Sequence, residues 1–342
     1  MVTGGTGYIG SHTVVELLND GFEVVIIDDL SNSKREVLDG IQEIIGKRPA
    51  FHEFNLCDEE KVDQFFSTNR DISAVIHFAA SKAVGESVEK PLLYYRNNLY
   101  SLIVLLEAMK KYHVPNMVFS SSCTVYGQPD KLPVTEKSPF KPAESPYGKT
   151  KQMGEEILRD TCKAEKDINT IALRYFNPAG AHPTALLGEL PRGVPNNLVP
   201  YITQTAAGIR SQLLIFGNDY KTPDGSAIRD YIHITDLAKA HVVAVKRLID
   251  HKQKNNYEFF NIGTGKGVSV LEIVKAFERV NNLNLNYKIV DRRPGDIEQI
   301  YADTTYANQE LGWKAMETLD EMMRSAWKWQ LHLMKSENKT TA

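Results

Sequence analysis

Thr3-Gly4-Gly5-Thr6-Gly7-Tyr8-Ile9-Gly10 is a glycine-rich run near the start of the chain, followed by a helix-patterned segment at residues 11–18. A second apolar run at residues 23–27 comes next, so the order predicts a strand, a glycine turn, a helix and another strand. Glycines suit such a turn because the backbone bends tightly and approaches a pyrophosphate, whose charge a helix N-terminus attracts. The unit therefore predicts a dinucleotide-binding site.

An acidic pair, Asp28 and Asp29, ends the second strand of this unit. A carboxylate at that place accepts hydrogen bonds from the ribose hydroxyls of adenosine and repels a 2′-phosphate. We therefore expect NAD rather than NADP. The alternative is that the two aspartates merely open a turn.

Further strands alternate with helices along the first half of the chain. Residues 74–78 and 116–120 read as buried strands, and a long helix spans about residues 92–113 between them. This alternation predicts an α/β fold with a doubly wound, Rossmann-type parallel sheet. In such sheets ligands bind beyond the carboxyl ends of the strands. Three segments end there with small or polar residues, namely residues 79–82, 120–122 and 175–177.

Tyr147 alone among the fifteen tyrosines has a lysine four residues later, in Ser145-Pro-Tyr147-Gly-Lys-Thr-Lys151. Positions four apart share one face of a helix, so the Lys151 ammonium can lie beside the phenol. A cation there lowers the pKa of the phenol from about 10, so that Tyr147 can take a proton from an alcohol. The alternative is a packing or solvent-exposed contact, because such a pair also arises by chance.

Ser122 and Thr124 follow the strand that ends near Phe119, at the edge of the sheet that Tyr147 would face. A hydroxyl within reach of the substrate oxygen can share its proton with Tyr147. We favour a catalytic role for Ser122, whereas Ser120 and Ser121 read as residues that satisfy a turn.

Composition excludes several classes of function. The 342 residues are 42% hydrophobic and 24% charged with a formal net charge of −3, which is typical of a globular protein and argues against nucleic acid as a partner. No apolar run is long enough to span a membrane. Cys57, Cys123 and Cys162 are widely spaced, which favours reduced thiols and a cytoplasmic location. The nine histidines show no zinc-binding spacing, so no metal is expected.

The first strand would end at Val2, which leaves it shorter than strands usually are. We therefore expect a few residues ahead of Met1 in the native protein.

The glycine run, the serine-rich strand end and the Tyr147/Lys151 pair are similar to those of the extended short-chain dehydrogenase/reductase superfamily. Within it the chain resembles the UDP-glucose 4-epimerase family along almost its whole length. The strings that carry this resemblance are Lys82-Ala-Val-Gly-Glu-Ser87, Ser120-Ser-Ser-Cys-Thr-Val-Tyr-Gly127, Leu173-Arg-Tyr-Phe-Asn-Pro-Ala-Gly180, Pro195-Asn-Asn-Leu198, Ile215-Phe-Gly-Asn-Asp-Tyr220, Arg229-Asp-Tyr-Ile-His233 and Arg292-Arg-Pro-Gly-Asp296. The resemblance implies interconversion of UDP-galactose and UDP-glucose through a transient 4-keto sugar, with Tyr147 as base and a bound NAD as hydride acceptor and donor.

The resemblance also implies which residues contact each ligand. The catalytic residues would be Tyr147, Lys151, Ser122 and Thr124. NAD would be contacted by residues of the glycine run and the strand ends, namely Gly4, Gly7, Tyr8, Ile9, Gly10, Asp28, Asp29, Asn32, Ser33, Asn55, Leu56, Phe78, Ala79, Ala80, Lys82, Asn97, Ser122, Tyr147, Lys151, Tyr175 and Phe176. The nucleotide sugar would be contacted by Lys82, Ser122, Tyr147, Asn177, Asn197, Leu198, Leu214, Ile215, Phe216, Arg229, Tyr231, Arg293, Asp296 and Ile300.

Charged residues of the second half suit a nucleotide diphosphate. Arg229 and Arg293 can each offer a guanidinium fork to the diphosphate, and Asp296 can accept from a ribose hydroxyl. Pro294-Gly295 would fix the turn between Arg293 and Asp296.

Two residues depart from the family pattern. Asn55 stands where these epimerases usually have an aspartate for the adenine amino group, and its amide oxygen can still accept that bond. Ile300 occupies a position where a bulky side chain tends to exclude N-acetylated sugars and a small one admits them. Use of UDP-N-acetylglucosamine therefore stays open.

A nucleotide-sugar 4,6-dehydratase of the same superfamily is the nearest alternative. Such enzymes move a second proton and usually have an acid directly after the catalytic serine or threonine, whereas Cys123-Thr124-Val125 offers none. A redox-sensing regulator without turnover is an alternative of another class. A sensor has no need of the base that Tyr147, Lys151 and Ser122 would form.

We expect a NAD-binding Rossmann domain at residues 1–175, with further strand and helix segments from about residues 227–262. A smaller α/β domain that binds the UDP-sugar would occupy mainly residues 176–334. Thr318-Leu-Asp-Glu321 predicts a capping box that opens a helix to about Met334, and residues 335–342 would form a flexible tail.

By family resemblance we expect a homodimer, paired through the helix at residues 92–113 and the helix after Tyr147. The alternative is that their apolar residues pack within the monomer. These residues are Leu99, Leu102, Ile103, Leu106, Met109, Met153, Ile157 and Leu158.

Overall fold

The computed structural model describes residues 1–293 and 296–340, of which residues 337–340 are described by their backbone alone. Within these ranges the strands are β1 (Val2–Thr3), β2 (Val25–Asp28), β3 (Ala50–Glu53), β4 (Ala74–His77), β5 (Asn116–Ser120), β6 (Asn169–Tyr175), β7 (Asn177–Ala179), β8 (Leu213–Phe216), β9 (Ile228–His233), β10 (Tyr257–Ile262), β11 (Gly267–Ser269), β12 (Tyr287–Val290) and β13 (Gln299–Ile300).

The α-helices of the described residues are α1 (Tyr8–Asn19), α2 (Val37–Ile45), α3 (Glu59–Thr68), α4 (Val84–Glu89), α5 (Pro91–Tyr95), α6 (Ser101–Lys111), α7 (Pro146–Ala164), α8 (Leu198–Ala206), α9 (Ile234–Ile249), α10 (Val270–Asn281) and α11 (Leu319–Thr340). Shorter helical segments are two π-helices, Arg96–Tyr100 and Ala307–Leu311, and one 3₁₀ helix, Cys123–Tyr126.

Seven strands form one parallel sheet in the order β10-β6-β5-β4-β1-β2-β3. Apolar residues of α1, α2 and α9 pack on one face of this sheet, among them Val14, Ile41 and Leu237. Residues of α3, α6 and α7, such as Phe66 and Leu105, pack on the other face. A sheet buried on both faces is what the near-continuous apolar strands predict, and the doubly wound α/β fold is confirmed.

The second half of the chain builds two small sheets beside the large one. The first contains β7, β9, β11 and β13, and the second pairs β8 with β12. Helices α8, α10 and α11 cover them, with Ile202, Phe277 and Met323 in a separate core cluster.

Residues 227–262, from which we expect further strand and helix segments of the Rossmann domain, divide between the large sheet and the small one. Helix α9 packs on the large sheet and β10 pairs with β6 at its edge. Strand β9 instead joins the small sheet, where it pairs with β7, β11 and β13. The change occurs at the junction of β9 and α9, where the His233 side chain accepts from the backbone N–H of Thr235 and caps the helix.

The end of the chain differs from the prediction. Helix α11 continues to Thr340, so residues 335–340 are helical where we expected a flexible tail beyond Met334. Residues 341–342 of that tail lie outside the described residues. The Oγ1 of Thr318 accepts from the backbone N–H of Glu321 at 3.2 Å, which is one half of the predicted capping box.

The expected long helix at residues 92–113 is a continuous helical run formed by α5, the π-helix and α6, and it ends at Lys111. The apolar residues proposed for pairing differ in burial, and Leu99, Met153 and Ile157 are half-buried. Leu102, Leu106, Met109 and Leu158 are buried in the monomer's own core, whereas Ile103 stays exposed.

Membrane insertion has no candidate segment in the part of the chain that the structure describes, because no helix there combines the necessary length and apolar character.

Candidate active site

Tyr147 lies in the first turn of α7. Pro146 takes the first helical position, and the Ser145 hydroxyl caps the helix by accepting from the backbone N–H of Gly148 at 3.1 Å. The tyrosine is only 8% exposed. A hydrogen bond between its phenol and the Ser122 side chain favours the ionised form and by itself lowers the pKa of Tyr147. The structure thus brings Tyr147 and Ser122 together at the carboxyl end of β5.

Lys151 lies one turn further along the same face of α7. Its Nζ donates to the carbonyl oxygen of Ser120 at 2.6 Å, and it lies 5.8 Å from the centre of the Tyr147 ring and 5.0 Å from that of Phe119. Burial lowers the pKa of Lys151 to about 8, although the charge of Glu155 acts in the opposite direction.

The expected low pKa of Tyr147 is wrong for this structure. Burial raises the pKa of Tyr147 well above its ordinary value, Tyr175 adds to the increase, and the bond from Ser122 offsets only part of it. Helical spacing predicts that Tyr147 and Lys151 share one face of α7. It does not indicate that the Lys151 ammonium donates to the Ser120 carbonyl oxygen, or that both side chains are buried from water. Tyr147 therefore needs further positive charge nearby to act as a base.

Thr124 lies in the short 3₁₀ helix that follows Ser122. The Ser122 Oγ accepts from the backbone N–H of Thr124 at 3.2 Å and so begins that helix. The Thr124 Oγ1 is buried and has no hydrogen-bond partner among the described residues. Because a buried hydroxyl without a partner costs free energy, it is suited to bind an oxygen of a ligand.

The glycine run forms a cradle that larger residues would fill. Gly4 has a φ of +67°, and a Cβ built on it would come within 2.8 Å of the Ala79 nitrogen. A Cβ on Gly10 would come within 2.2 Å of the Gly4 carbonyl oxygen. Gly7 precedes α1 and offers no side-chain cap, so the first N–H groups of that helix are open to an anion. The cradle therefore fits the pyrophosphate of a dinucleotide.

Asp28 ends β2 beside this cradle and also organises the following loop. Its Oδ2 accepts from the backbone N–H of Thr6 at 3.1 Å, and its Oδ1 accepts from that of Leu30 at 3.0 Å and from the Ser33 hydroxyl at 3.2 Å. The turn that we considered as the alternative is thus present, and it places the carboxylate at the edge where an adenosine ribose would lie.

Asn55 and Asp29 lie together at the next strand end. The Asn55 amide donates to Asp29 Oδ2 at 2.7 Å, and its Oδ1 accepts from the backbone N–H of Cys57 at 2.8 Å. An amide oxygen has two lone pairs, so one remains for an adenine amino group.

Most of the other expected NAD contacts lie along the same edge of the sheet. Asn97 donates to the Ser81 hydroxyl at 3.1 Å, whereas Tyr8 donates to the Gly180 carbonyl oxygen at 2.6 Å and so contacts the second half of the chain. The remaining candidates lie at the end of β6, directly after β2, β3, β4 or β6, or at the start of α1, namely Ile9, Asn32, Leu56, Phe78, Ala80, Lys82, Tyr175 and Phe176.

Arg229 and Tyr231 lie on β9, in the small sheet that also contains β7, β11 and β13. Arg229 donates to the Ile228 carbonyl oxygen at 2.8 Å, and no carboxylate comes within ion-pair distance of it in the described part of the chain. Its positive charge is therefore available to a phosphate.

Arg293 and Asp296 are not separate in the structure. Arg293 donates to Asp296 Oδ1 at 2.7 Å, and its guanidinium lies 5.5 Å from the centre of the Phe216 ring. The two residues that we expected to hold a diphosphate and a ribose therefore neutralise each other. The intervening turn, Pro294-Gly295, lies outside the described residues.

Other expected sugar-nucleotide contacts have mixed positions. Asn197 donates to the Glu189 carboxylate at 2.6 Å, and Lys82 lies 3.5 Å from the same carboxylate. Ile215 is 1% exposed in the core of the second half, because alternate residues of β8 face the core, and its contact with the nucleotide sugar stays a prediction. The other candidates of this group are Asn177 on β7, Leu198 at the start of α8, and Leu214 on β8.

Ile300 lies on β13, in register with Arg229 of the neighbouring strand. It is buried in a small cluster that includes Phe176 and Val125, and Cys123 packs against this cluster. The Ile300 side chain therefore lies close to the segment that carries Ser122, and we refer to this cluster as the buried wall.

Comparison with known proteins adds to this geometry. Residues 1–326 match the family model described as GDP-mannose 4,6 dehydratase. The UDP-glucose 4-epimerase of Bacillus subtilis (strain 168) is 53% identical over 96% of this chain and 96% of that protein. The chain belongs to the UDP-glucose 4-epimerase family.

Solved structures agree with the epimerase family. The crystal structure of UDP-glucose 4-epimerase from Bifidobacterium longum in complex with NAD+ and UDP has a TM-score of 0.92, 48% identity and 97% coverage of both chains. UDP-glucose 4-epimerase from Stenotrophomonas maltophila, with bound NAD and formylated UDP-arabinopyranose, has a TM-score of 0.94, 46% identity and 98% coverage of both chains.

In this member of the epimerase family, sequence reasoning missed a buried ion pair below the catalytic face. Glu155 accepts from Arg174 at 2.7 Å, from Ser121 at 2.5 Å and from Tyr257 at 2.9 Å. Glu155 is four residues after Lys151, so it repeats the spacing that singled out Tyr147 and could have been found by extending that pattern one turn.

A metal centre has no counterpart in the residues that the structure of this epimerase homologue describes, because no three histidine, cysteine, aspartate or glutamate side chains there come together in a suitable group.

Proposed function

We propose that the chain interconverts UDP-galactose and UDP-glucose, with Tyr147 as the base at carbon 4 of the sugar and NAD as a bound cofactor. The names of its relatives support the reaction, and the glycine cradle beside Asp28 supports the cofactor. When bound, NAD supplies the acceptor for the hydride of carbon 4 and the donor that returns it.

Tyr147 takes the proton of the sugar hydroxyl in this proposal, and Ser122 keeps the phenol oriented by its hydrogen bond. Thr124 offers its unpartnered hydroxyl to a sugar oxygen. Lys151 stays on the Ser120 carbonyl and supplies positive charge next to Tyr147. The proton returns from Tyr147 to the same oxygen after the ring has presented its other face.

Inversion requires that the keto sugar turn over while its UDP remains anchored. Arg229 provides a cation without a carboxylate partner in the described residues, so it can hold the diphosphate. Arg293 and Asp296 would exchange their mutual ion pair for the diphosphate and the uridine ribose. Phe216, exposed below the Arg293 guanidinium, offers a ring for stacking on uracil.

The observation that carries this proposal is the group formed by Ser122, Thr124 and Tyr147 without an acid. The matching family model bears the name of a dehydratase, and elimination of water needs a second proton donor at the substrate. Here Cys123 follows Ser122, and desolvation raises the pKa of its thiol to about 12, which makes it a weak proton donor.

The test is turnover of UDP-galactose, measured by a coupled assay of UDP-glucose, in the wild type and in Tyr147→Phe. The substitution should reduce kcat by about 10²- to 10⁴-fold, because it removes the base. Tyr112→Phe is the control, since that hydroxyl contacts Asp63 far from the cleft. Absence of UDP-glucose from a folded wild type that carries NAD would overturn the proposal.

A second substrate class remains a proposal as well. Ile300 lies in the buried wall beside Cys123 and Phe176, which leaves less room than a small residue and more than an aromatic one. We propose limited use of UDP-N-acetylated sugars beside the main reaction.

We also propose a homodimer that forms through α4, α5, the following π-helix and α6. Val88, Leu92 and Ile103 expose apolar side chains there, with Leu92 81% exposed. Light scattering at micromolar concentration should give twice the mass of the 38.5 kDa chain. Leu92→Glu combined with Ile103→Glu should give monomers, whereas Ile209→Glu on another face should not. A monomeric wild type would contradict this assembly.

A cytoplasmic location is our further proposal. Cys57, Cys123 and Cys162 are unpaired thiols in the structure, which supports a reducing compartment. Exclusive recovery of the protein from an oxidising compartment after cell fractionation would contradict it.

A further inference from the structure

Residues 180–197 connect β7 to α8 and cross from the second half of the chain to the first. We call this segment the strap. It begins directly after Asn177–Ala179 and ends at Asn197, so both of its ends adjoin residues that we expect to contact the nucleotide sugar.

The strongest contact of the strap is made by Arg192 on the loop that follows Asp28. Its guanidinium donates to the carbonyl oxygens of Leu30 at 2.8 Å, Ser31 at 2.7 Å and Ser33 at 2.6 Å. Leu30 has a φ of +56°, a conformation that a leucine rarely adopts, so this loop needs outside support. Because the guanidinium is planar and its donors are fixed relative to one another, its hydrogen bonds to three carbonyl oxygens hold the loop in one conformation.

Two further contacts fix the strap to the first half. The Tyr8 hydroxyl donates to the Gly180 carbonyl oxygen at 2.6 Å. Helix α2 lies so close that a Cβ on Gly40 would come within 2.7 Å of the Leu186 carbonyl oxygen, and Leu187 is buried in the core of the large sheet. The strap is therefore docked along its length and is not a free loop.

The strap also carries a carboxylate that contacts two expected ligand-binding residues. Glu189 lies 3.5 Å from the Nζ of Lys82, in the segment that follows β4, and accepts from the Asn197 amide at 2.6 Å. Through Glu189 the strap thus contacts Lys82 and Asn197, which we expect to bind the nucleotide sugar. Only three residues later, Arg192 contacts the loop at the expected adenosine site.

We propose that Arg192 is a positioning residue that holds the loop of Asp28 to Ser33 closed around the adenosine end of NAD, so that the strap retains the cofactor between turnovers. This inference rests on the proposed function, which makes NAD the ligand of that loop. Asp28 and Ser33 are hydrogen-bonded to each other, so support at the Ser33 carbonyl is transmitted to the carboxylate.

Arg192 has a competing role that its geometry argues against. An arginine beside the ribose site can hold the 2′-phosphate of NADP. Three of its five N–H donors are already used on backbone carbonyls, and those carbonyl oxygens would repel a phosphate.

The experiment compares wild type, Arg192→Gln and Arg48→Gln. Arg48 is an exposed arginine of the same half that pairs with Asp39 and does not touch the loop, so it controls for loss of one surface charge. Each protein is loaded with NAD and diluted into NAD-free buffer, and the release rate is measured from the cofactor that remains bound. Hydrogen exchange at residues 30–33 is measured on the cofactor-free proteins.

We expect Arg192→Gln to release NAD at least about fivefold faster than wild type and Arg48→Gln, because several hydrogen bonds to a charged donor are lost. Exchange at residues 30–33 should also be faster in Arg192→Gln alone. Unchanged release together with unchanged exchange would overturn the role of Arg192. A change confined to NADP binding would also overturn it in favour of phosphate recognition.

Failure of the proposed cofactor would have a different signature. A wild type that binds no NAD would overturn both proposals, whereas a wild type that binds NAD and converts UDP-galactose, with unchanged release and exchange in Arg192→Gln, would overturn the strap alone.

Discussion

Burial shifts both ionisable groups of the catalytic face toward their neutral forms. The pKa of Tyr147 is raised and that of Lys151 is lowered, because removal of water destabilises a phenolate and an ammonium alike. When both groups are charged, the attraction between the phenolate and the ammonium offsets part of this cost of burial. Loss of the Lys151 charge therefore removes the support on which an ionised Tyr147 depends.

The pH profile of the reaction should show this dependence. Lys151 has a pKa of about 8, so its ammonium is lost as pH rises through that value, and kcat/KM should fall above about pH 8. The groups that face it are Glu155 on α7, Phe119 and the Ser120 carbonyl on β5, and His77 on β4, whose pKa burial lowers to about 3.

Lys151→Arg tests the assignment, because arginine keeps its charge to higher pH. The fall should move upward in this variant, whatever its maximal rate. A thermal melt of each protein at pH 9 checks that it is folded. A fall at the same pH in both proteins would contradict the assignment to Lys151.

Ile300 should set the discrimination between plain and N-acetylated sugars. Ile300→Cys enlarges the buried wall and should raise the kcat/KM ratio of UDP-N-acetylgalactosamine to UDP-galactose by about tenfold, whereas Ile300→Tyr should lower it. The kcat/KM for UDP-galactose in each variant is the internal control. Equal ratios in all three proteins would show that this wall does not contact the sugar.

At the scale of elements, α7 carries three functional layers on one face. Tyr147 is in its first turn, Lys151 in the second and Glu155 in the third, where the Arg174 side chain of β6 meets it at 2.7 Å. Both partners are almost fully buried, with 3% and 0% of their side chains exposed. The catalytic face is thus supported by a charge pair that water cannot replace.

Breaking this pair on one side should be costly. Arg174→Met leaves Glu155 as an unpaired buried charge and should reduce the free energy of unfolding by about 3–5 kcal/mol. Urea denaturation measures the loss. The double variant Glu155→Gln with Arg174→Met should recover part of it, since no charge is then buried. A loss below about 1 kcal/mol for Arg174→Met would contradict this account.

Sequence predicted those elements whose structure depends on local chemistry. The glycine turn, the buried strands and the face shared by Tyr147 and Lys151 follow from residue type and spacing. The hydrogen bond from Lys151 to the Ser120 carbonyl and the membership of β9 in the small sheet depend on partners distant in sequence. The spacing of residues along the chain does not indicate which distant residue packs against a given position.

At the scale of the whole molecule, buried histidines make stability depend on pH. Burial lowers the pKa of four of them, to about 3 for His12 and His77 and about 4 for His233 and His241. In the unfolded chain they titrate near 6.5, so the unfolded state binds more protons below that pH. Their contribution is present above about pH 6.5 and is lost as pH falls toward 4.

The midpoint of thermal unfolding should therefore decrease from pH 7 to pH 4. Each of these histidines should contribute a loss of about 1.4 kcal/mol per pH unit below 6.5. Calorimetry in buffers of equal ionic strength measures the trend. A midpoint that is constant from pH 7 to pH 5 would contradict the expectation.

Strand β10 lies at one edge of the large sheet, where it pairs with β6. In the sequence, strands β7, β8 and β9 lie between these two partners. During synthesis on the ribosome, the edge of β6 therefore stays unpaired until Tyr257–Ile262 has emerged. A fragment cut at the domain boundary would keep that edge and tend to aggregate. The large sheet is therefore complete only after the chain has passed through the small-sheet region and returned, so the two parts of the fold depend on each other for assembly.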